Sequence, residues 1–144
     1  MEIINKKAGL NFFLKERIEA GIVLSGAEAQ AVRNGRIDLS NSYVKIIKGE
    51  AYLINANIPI TNAINYTSTR SRKLLLHKSQ IVSLHTKTTT QHLALIPTKV
   101  YNKGHLIKLQ IALAKGKKKF EKKKALKLRD QNREAQEDLK IKLK

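Results

Sequence analysis

"HLALIPTKVYNKGHLIKLQIALA", residues 92–114, decides the fold. Two apolar-rich runs flank Asn102-Lys103-Gly104, a Gly-containing turn. In the second run Ile107, Leu109, Ile111 and Leu113 fall on one face, with Lys108 and Gln110 on the other. That period of two belongs to a strand with one buried side. Upstream, "SYVKIIKGEAYLINANI" at 42–58 places two more strand-like runs around Lys48-Gly49 and reads as a second hairpin. Residues 12–18, "FFLKERI", mix apolar and charged side chains as a half-exposed strand does. Glu19-Ala20-Gly21 reads as a bend and 22–24 as a short buried strand.

Two helices interrupt the strands. Ser25 and Glu28 have the spacing of a capping box, and Gly35 is placed as a stop, which predicts a helix over 27–34. Ile81, Leu84 and His85 share a face in "KSQIVSLHTKTT" at 78–89, a second helix. Residues 59–72 are polar with one Pro and read as a loop. The sum is about six short antiparallel strands with two or three flanking helices and no βα repeat. A small closed barrel removes the exposed edges of such a set. After the last strand, nine Lys or Arg residues occur between Lys115 and Arg129, relieved only by Glu121. The expected division is a barrel domain at 1–116 and a basic tail at 117–144.

The formal charge is +18. Residues 1–114 carry 16 basic and 6 acidic side chains, so the barrel is basic in its own right. Such a surplus is self-repulsive and calls for an anionic partner, with nucleic acid ahead of a membrane surface. No apolar run approaches a membrane span, no signal-peptide core opens the chain, and no cysteine is present. A cytoplasmic monomer is expected. The histidines, His77, His85, His92 and His105, lack metal-site spacing, and the acids form no evident catalytic pair. Neither a cofactor nor a metal is expected, nor an enzyme. The cations gather in three places: Lys6 and Lys7 of "NKK", Arg70, Arg72 and Lys73 of "RSRK", and Lys115, Lys117 and Lys118 of "KGKK". Lysines attract phosphate diffusely, and arginines can fork onto it. Few aromatics are available for stacking, so the expected recognition is of RNA shape and backbone.

"NKKAGLNFFL", "EAGIVLSGAE", "VRNGRIDLSNSYV", "RSRKLLLH", "LALIPTKVY" and "ALAKGKKKFEKKK" occur in that order. Together they resemble the SsrA-binding protein (small protein B) family over nearly the whole chain. The resemblance implies an oligonucleotide-binding-fold-like (OB-fold) barrel whose basic tail is disordered when free and helical when bound. It implies an RNA-binding protein of trans-translation. Such a protein binds the tRNA-like domain of transfer-messenger RNA (tmRNA) and brings it to stalled ribosomes, with its tail in the empty mRNA channel near the decoding centre. The RNA-facing positions it implies are Asn5, Lys6, Glu19, Lys73 and Leu75, with Lys115, Lys117 and Lys118 where the chain leaves the barrel. Core packing is the alternative for Leu75, and a structural ion pair the alternative for Glu19. The tail positions for the ribosome are Lys119, Lys122, Lys123, Lys124, Lys127, Arg129 and Arg133. Ala27, Gln30 and Lys123 depart from the family's usual residues, and the 59–72 loop looks short. A structural protein of the ribosome is the rival reading.

Overall fold

The computed structural model describes residues 1–118, 123 and 126–129. The elements run β1 (Glu2–Ile4), α1 (Lys6–Asn11), β2 (Phe12–Ile22), α2 (Gly26–Arg33), β3 (Tyr43–Ile47), β4 (Glu50–Ile54), β5 (Arg72–Leu75), α3 (Lys78–Gln91), β6 (Ala94–Lys103) and β7 (Leu106–Gly116). All pairings are antiparallel. Strand β3 pairs with β4, β4 with β5, β5 with β2, β2 with β7, β7 with β6, and β6 with β3 again. Six strands therefore close on themselves, and β1 adds along β6.

Both hairpins form, the first at its expected turn. The β3–β4 turn is Lys48-Gly49, with φ of 51° and 76°. Two left-handed residues in succession match the twist of the flanking strands. The β6–β7 turn sits two residues later than the sequence suggests, at Gly104-His105, because β6 continues to Lys103. Ile107, Leu109, Ile111 and Leu113 are all buried, as their alternation requires. They join Leu53, Leu74 and Val100 in one core, which Val32 from α2 and Leu84 from α3 also enter. Helix α2 has both halves of the capping box: Ser25 Oγ accepts from the Glu28 N–H, and Glu28 Oε1 accepts from the Ser25 N–H.

Three expectations are corrected. Glu19-Ala20-Gly21 is not a bend. The three residues lie within the 11-residue strand β2 and pair with Gln110, Leu109 and Lys108. The irregularity in β2 is instead a bulge between Leu14 and Arg17. Next, "NKK" does not precede the first strand. Strand β1 comes before it, and Lys6 and Lys7 open helix α1. Last, there are seven strands rather than about six among the described residues: β1 and β5 are additional, and 12–18 and the expected buried strand at 22–24 are one strand, β2, which ends at Ile22 and leaves Val23 exposed.

Helix α1 has only six residues, too short to hold itself. It is pinned by Asn5, whose N–H donates to Thr98 O at 2.8 Å and whose side-chain amide donates to Pro97 O at 2.8 Å and Leu39 O at 3.2 Å. Those β6 carbonyls are available because β6 carries a bulge between Pro97 and Lys99. Ala8 then packs with Ile96 and Ala114 in a second, smaller apolar cluster. Among the described residues no helix is long and apolar enough to cross a membrane.

Candidate nucleic-acid interface

The strand order brings β2, β7 and β5 side by side, and with them residues far apart in sequence. Glu19 of β2, Lys108 of β7, and Lys73 and Leu75 of β5 line one open groove of about 670 Å³, with Glu50 and Gly21. Leu75 is 56% exposed. It is therefore not a core residue, and an aliphatic side chain held in solvent beside cations is suited to a base or ribose face. Gly21 makes room for it: a Cβ at that position would lie 3.1 Å from Leu75 Cβ.

Glu19 is held from the side. Tyr101 Oη donates to one carboxylate oxygen, and Lys103 Nζ lies 3.3 Å from the other. The Tyr101 hydrogen bond, opposed by desolvation and helped by Lys103 and Lys108, keeps the Glu19 carboxyl below its usual range. Burial and the same bond push Tyr101 up to about 12, so it stays a donor at all ordinary pH. The carboxylate is thus ionised, oriented across β2, β7 and β6, and able to accept from a base amine or a 2′-hydroxyl. On the opposite wall Lys73 Nζ sits 3.2 Å from Glu50, which also accepts from Tyr52 Oη at 2.8 Å. An exposed pair of this kind is weak, and a phosphate can take the lysine over.

A second basic surface forms where the chain leaves the barrel. Lys117 Nζ donates to Gly9 O at 2.8 Å and lies 5.0 Å from the Phe13 ring centroid. Its N–H donates to Asn11 O, tying the chain's exit to the end of α1. Lys6, Lys7, Lys115 and Lys118 are exposed around this junction. Phe13 and Glu19 are six residues apart on one strand, so the two surfaces are separated by about 20 Å.

Two expected contacts are overturned by burial. Arg72 has no exposed surface. Its guanidinium donates to Glu28 Oε2 (2.8 Å), Ala56 O (2.8 Å), Arg70 O (3.0 Å), Tyr66 Oη (3.0 Å) and Ser68 O (2.9 Å), leaving nothing for RNA. Asn5 is likewise buried, and its amide is spent on holding α1. Arg70 is half-exposed but ion-paired to Glu28. Its side chain belongs to the anchor of the 59–71 loop rather than to the groove. Lys108 in the groove, and Tyr101 and Lys103 holding Glu19 from β6, are residues that the sequence does not single out. Lys108 was visible as an outward position of β7, but its neighbourhood with Glu19 follows only from the β2–β7 register. In the tail, Lys123, Lys127 and Arg129 are helical and exposed. Lys119, Lys122, Lys124 and Arg133 lie outside the described residues, as does most of the segment expected to change from disorder to helix.

A family model described as "SmpB protein" matches residues 2–141. An SsrA-binding protein of Malacoplasma penetrans is 39% identical over 96% of this chain and 97% of its own length. One from Persephonella marina is 46% identical over 97% of this chain and 94% of its own. A solved structure described as "tmRNA-SmpB: a journey to the center of the bacterial ribosome" superposes with a TM-score of 0.67 at 34% identity, covering 87% of this chain and 94% of that one.

Proposed function

We propose, from the premise that this chain belongs to the SmpB protein family, that it binds the tRNA-like domain of tmRNA through its barrel and serves trans-translation on stalled ribosomes. The observation that carries the reading is the groove itself: an exposed Leu75 between Lys73, Lys108 and an oriented, ionised Glu19. Apolar contact, phosphate attraction and a fixed acceptor together suit a folded RNA whose backbone and a few base or ribose edges are read. The barrel acts as an oligonucleotide-binding (OB-like) body. Residues 1–116 form the tmRNA unit and 117–144 the ribosomal one.

The junction lysines Lys6, Lys7, Lys115, Lys117 and Lys118 form a second contact, with tmRNA or with ribosomal RNA. The tail lysines and arginines, Lys119, Lys122, Lys123, Lys124, Lys127, Arg129 and Arg133, face phosphates of the mRNA channel. Such a channel reverses the repulsion among them, and the helical backbone at residues 123 and 126–129 supports a helical tail there. An extended mRNA would fill the same space, so only empty channels would admit the protein. The role is binding and delivery rather than catalysis, in the compartment where ribosomes work.

Sequencing of RNA that co-purifies with the tagged protein tests this. One structured RNA, enriched well below the level of ribosomes and reduced by Glu19→Ala, is the expected result. Stoichiometric recovery with every ribosome would instead make this a structural ribosomal protein.

A further inference from the structure

We propose that the seam between β3 and β6 is a separate nucleic-acid site that takes a short single-stranded RNA segment. The ring is weakest there. Strand β3 joins β4 through five residue pairs but joins β6 through one, Val44 with Leu95. Beside that single pair lies an open trough of about 500 Å³. Its lining includes Phe12, Tyr43, Lys45, His85, Thr88 and Leu95. Tyr43 is 44% exposed, Phe12 is half-buried, and Val44 and Leu95 are buried. The trough therefore offers partly exposed aromatic surface beside a cation and an imidazole.

Charge selects the occupant. No Asp or Glu lines this trough, whereas Glu19 and Glu50 line the other groove. Lys45 has no carboxylate partner among the described residues. A polypeptide strand could use the same thinly paired edge of β3, but a barrel with a surplus of ten positive charges favours a polyanion. Aromatic faces accept any base, and Lys45 takes a phosphate, so the binding is sequence-tolerant. The trough is distinct from the first groove. Helix α3 gives its first turn, at Lys78 and Gln80, to that groove and its last turns, at His85 and Thr88, to the trough. The span from residue 78 to 88 is about 15 Å of helix. The inference leans on the proposed function only in that both ligands are RNA; the residues are disjoint.

The experiment uses the full chain and a fluorescent oligouridine of about eight nucleotides, a length within the range that one barrel of this size holds. A thiouridine version is photo-crosslinked and the attached peptides are mapped. Crosslinks at residues 43–46, 85–89 or 93–96 are expected. Tyr43→Ala with Lys45→Ala should weaken the oligouridine about tenfold, the loss of one stacking aromatic and one phosphate contact. The same variant should leave the melting temperature and the affinity for a tRNA-like RNA unchanged, and Glu19→Ala should leave the oligouridine affinity unchanged. Crosslinks confined to the tail or the first groove, or an unaltered titration in the folded double variant, would overturn the proposal. So would protection of the trough by an extended acidic peptide but not by oligouridine. If Glu19→Ala fails to weaken the tRNA-like RNA while the crosslinks still map to the seam, the fault lies with the first groove and not with this site.

Discussion

Glu28 shows how one residue can be read correctly and incompletely. Its place in the capping box is local and was legible. Its burial is not local: Tyr66 and Arg70 from the 59–71 loop, and Arg72 from β5, converge on the same carboxylate. Burial alone would raise its pKa, but the bonds from Arg70, Ser25 and Arg72 win and hold it at about 2. A depressed carboxyl stabilises the fold above its unfolded value near 4.5 and loses that contribution as pH falls towards 2. The shift corresponds to roughly 3 kcal/mol. Glu28→Gln should therefore lower the melting temperature at pH 7 and show a flatter loss of stability below pH 4.5 than the unaltered chain. Parallel acid profiles for the two proteins would remove Glu28 from the account. The same network explains why Arg72 was misassigned: a run of cations reads as a surface unless its buried partner, 44 residues upstream, is known. Glu19 runs the other way. Its partners Tyr101 and Lys103 lie on β6, and they orient it without burying it. Tyr101→Phe should weaken binding of the tRNA-like RNA several-fold with little change in melting temperature, as should Glu19→Ala. A melting loss with unchanged affinity of the folded fraction would assign the trio to the fold alone.

Elements were legible where their cause is local. The Lys48-Gly49 turn, the alternation of β7 and the Ser25–Glu28 box all act within a few residues, and all three formed as read. Helix α1 was missed because nothing within its six residues makes it helical. It exists because Asn5 reaches carbonyls freed by a bulge more than 90 residues away. The false bend at Glu19-Ala20-Gly21 has a related origin. A Gly in the middle of a strand signals close approach as readily as a turn, and here the approaching group is Leu75. Asn5→Ala separates the element from its surroundings. It leaves the carbonyls of Leu39 and Pro97 without their donor, a loss of about 1–3 kcal/mol. Because α1 carries Lys6 and Lys7 and receives Lys117 at its end, RNA affinity should also fall, and its salt dependence should become shallower. Stability lost with an unchanged salt slope would show that the junction lysines do not touch RNA.

At the scale of the whole molecule the charge is divided between a closed barrel and a tail, 16 basic residues before Lys115 and 13 from it onward. Composition announced that division but not its use. The groove between β2, β7 and β5 is shaped, with acids and aliphatics set among the cations, whereas the tail offers repeated like charges such as Lys118 with Lys122 and Lys119 with Lys123. Like charges at that spacing oppose a free helix, and surrounding phosphates remove the opposition. No Pro or Gly follows Gly116, so the helix stays available once the repulsion is gone. Shape recognition and channel filling should then separate cleanly. A chain ending at Lys119 retains the grooves and the Lys117 tie to α1, and should bind the tRNA-like RNA almost as well as the full chain while failing to rescue stalled ribosomes. A chain ending at Ala114 should bind less well than either, because the tie is gone. Circular dichroism of a peptide covering 117–144 should show little helix in plain buffer and a marked gain with an added polyanion. Full rescue by the chain ending at Lys119 would defeat the channel role. Strong helicity of the peptide without any anion would defeat folding on binding but leave the channel role standing, since a preformed helix fills the same space.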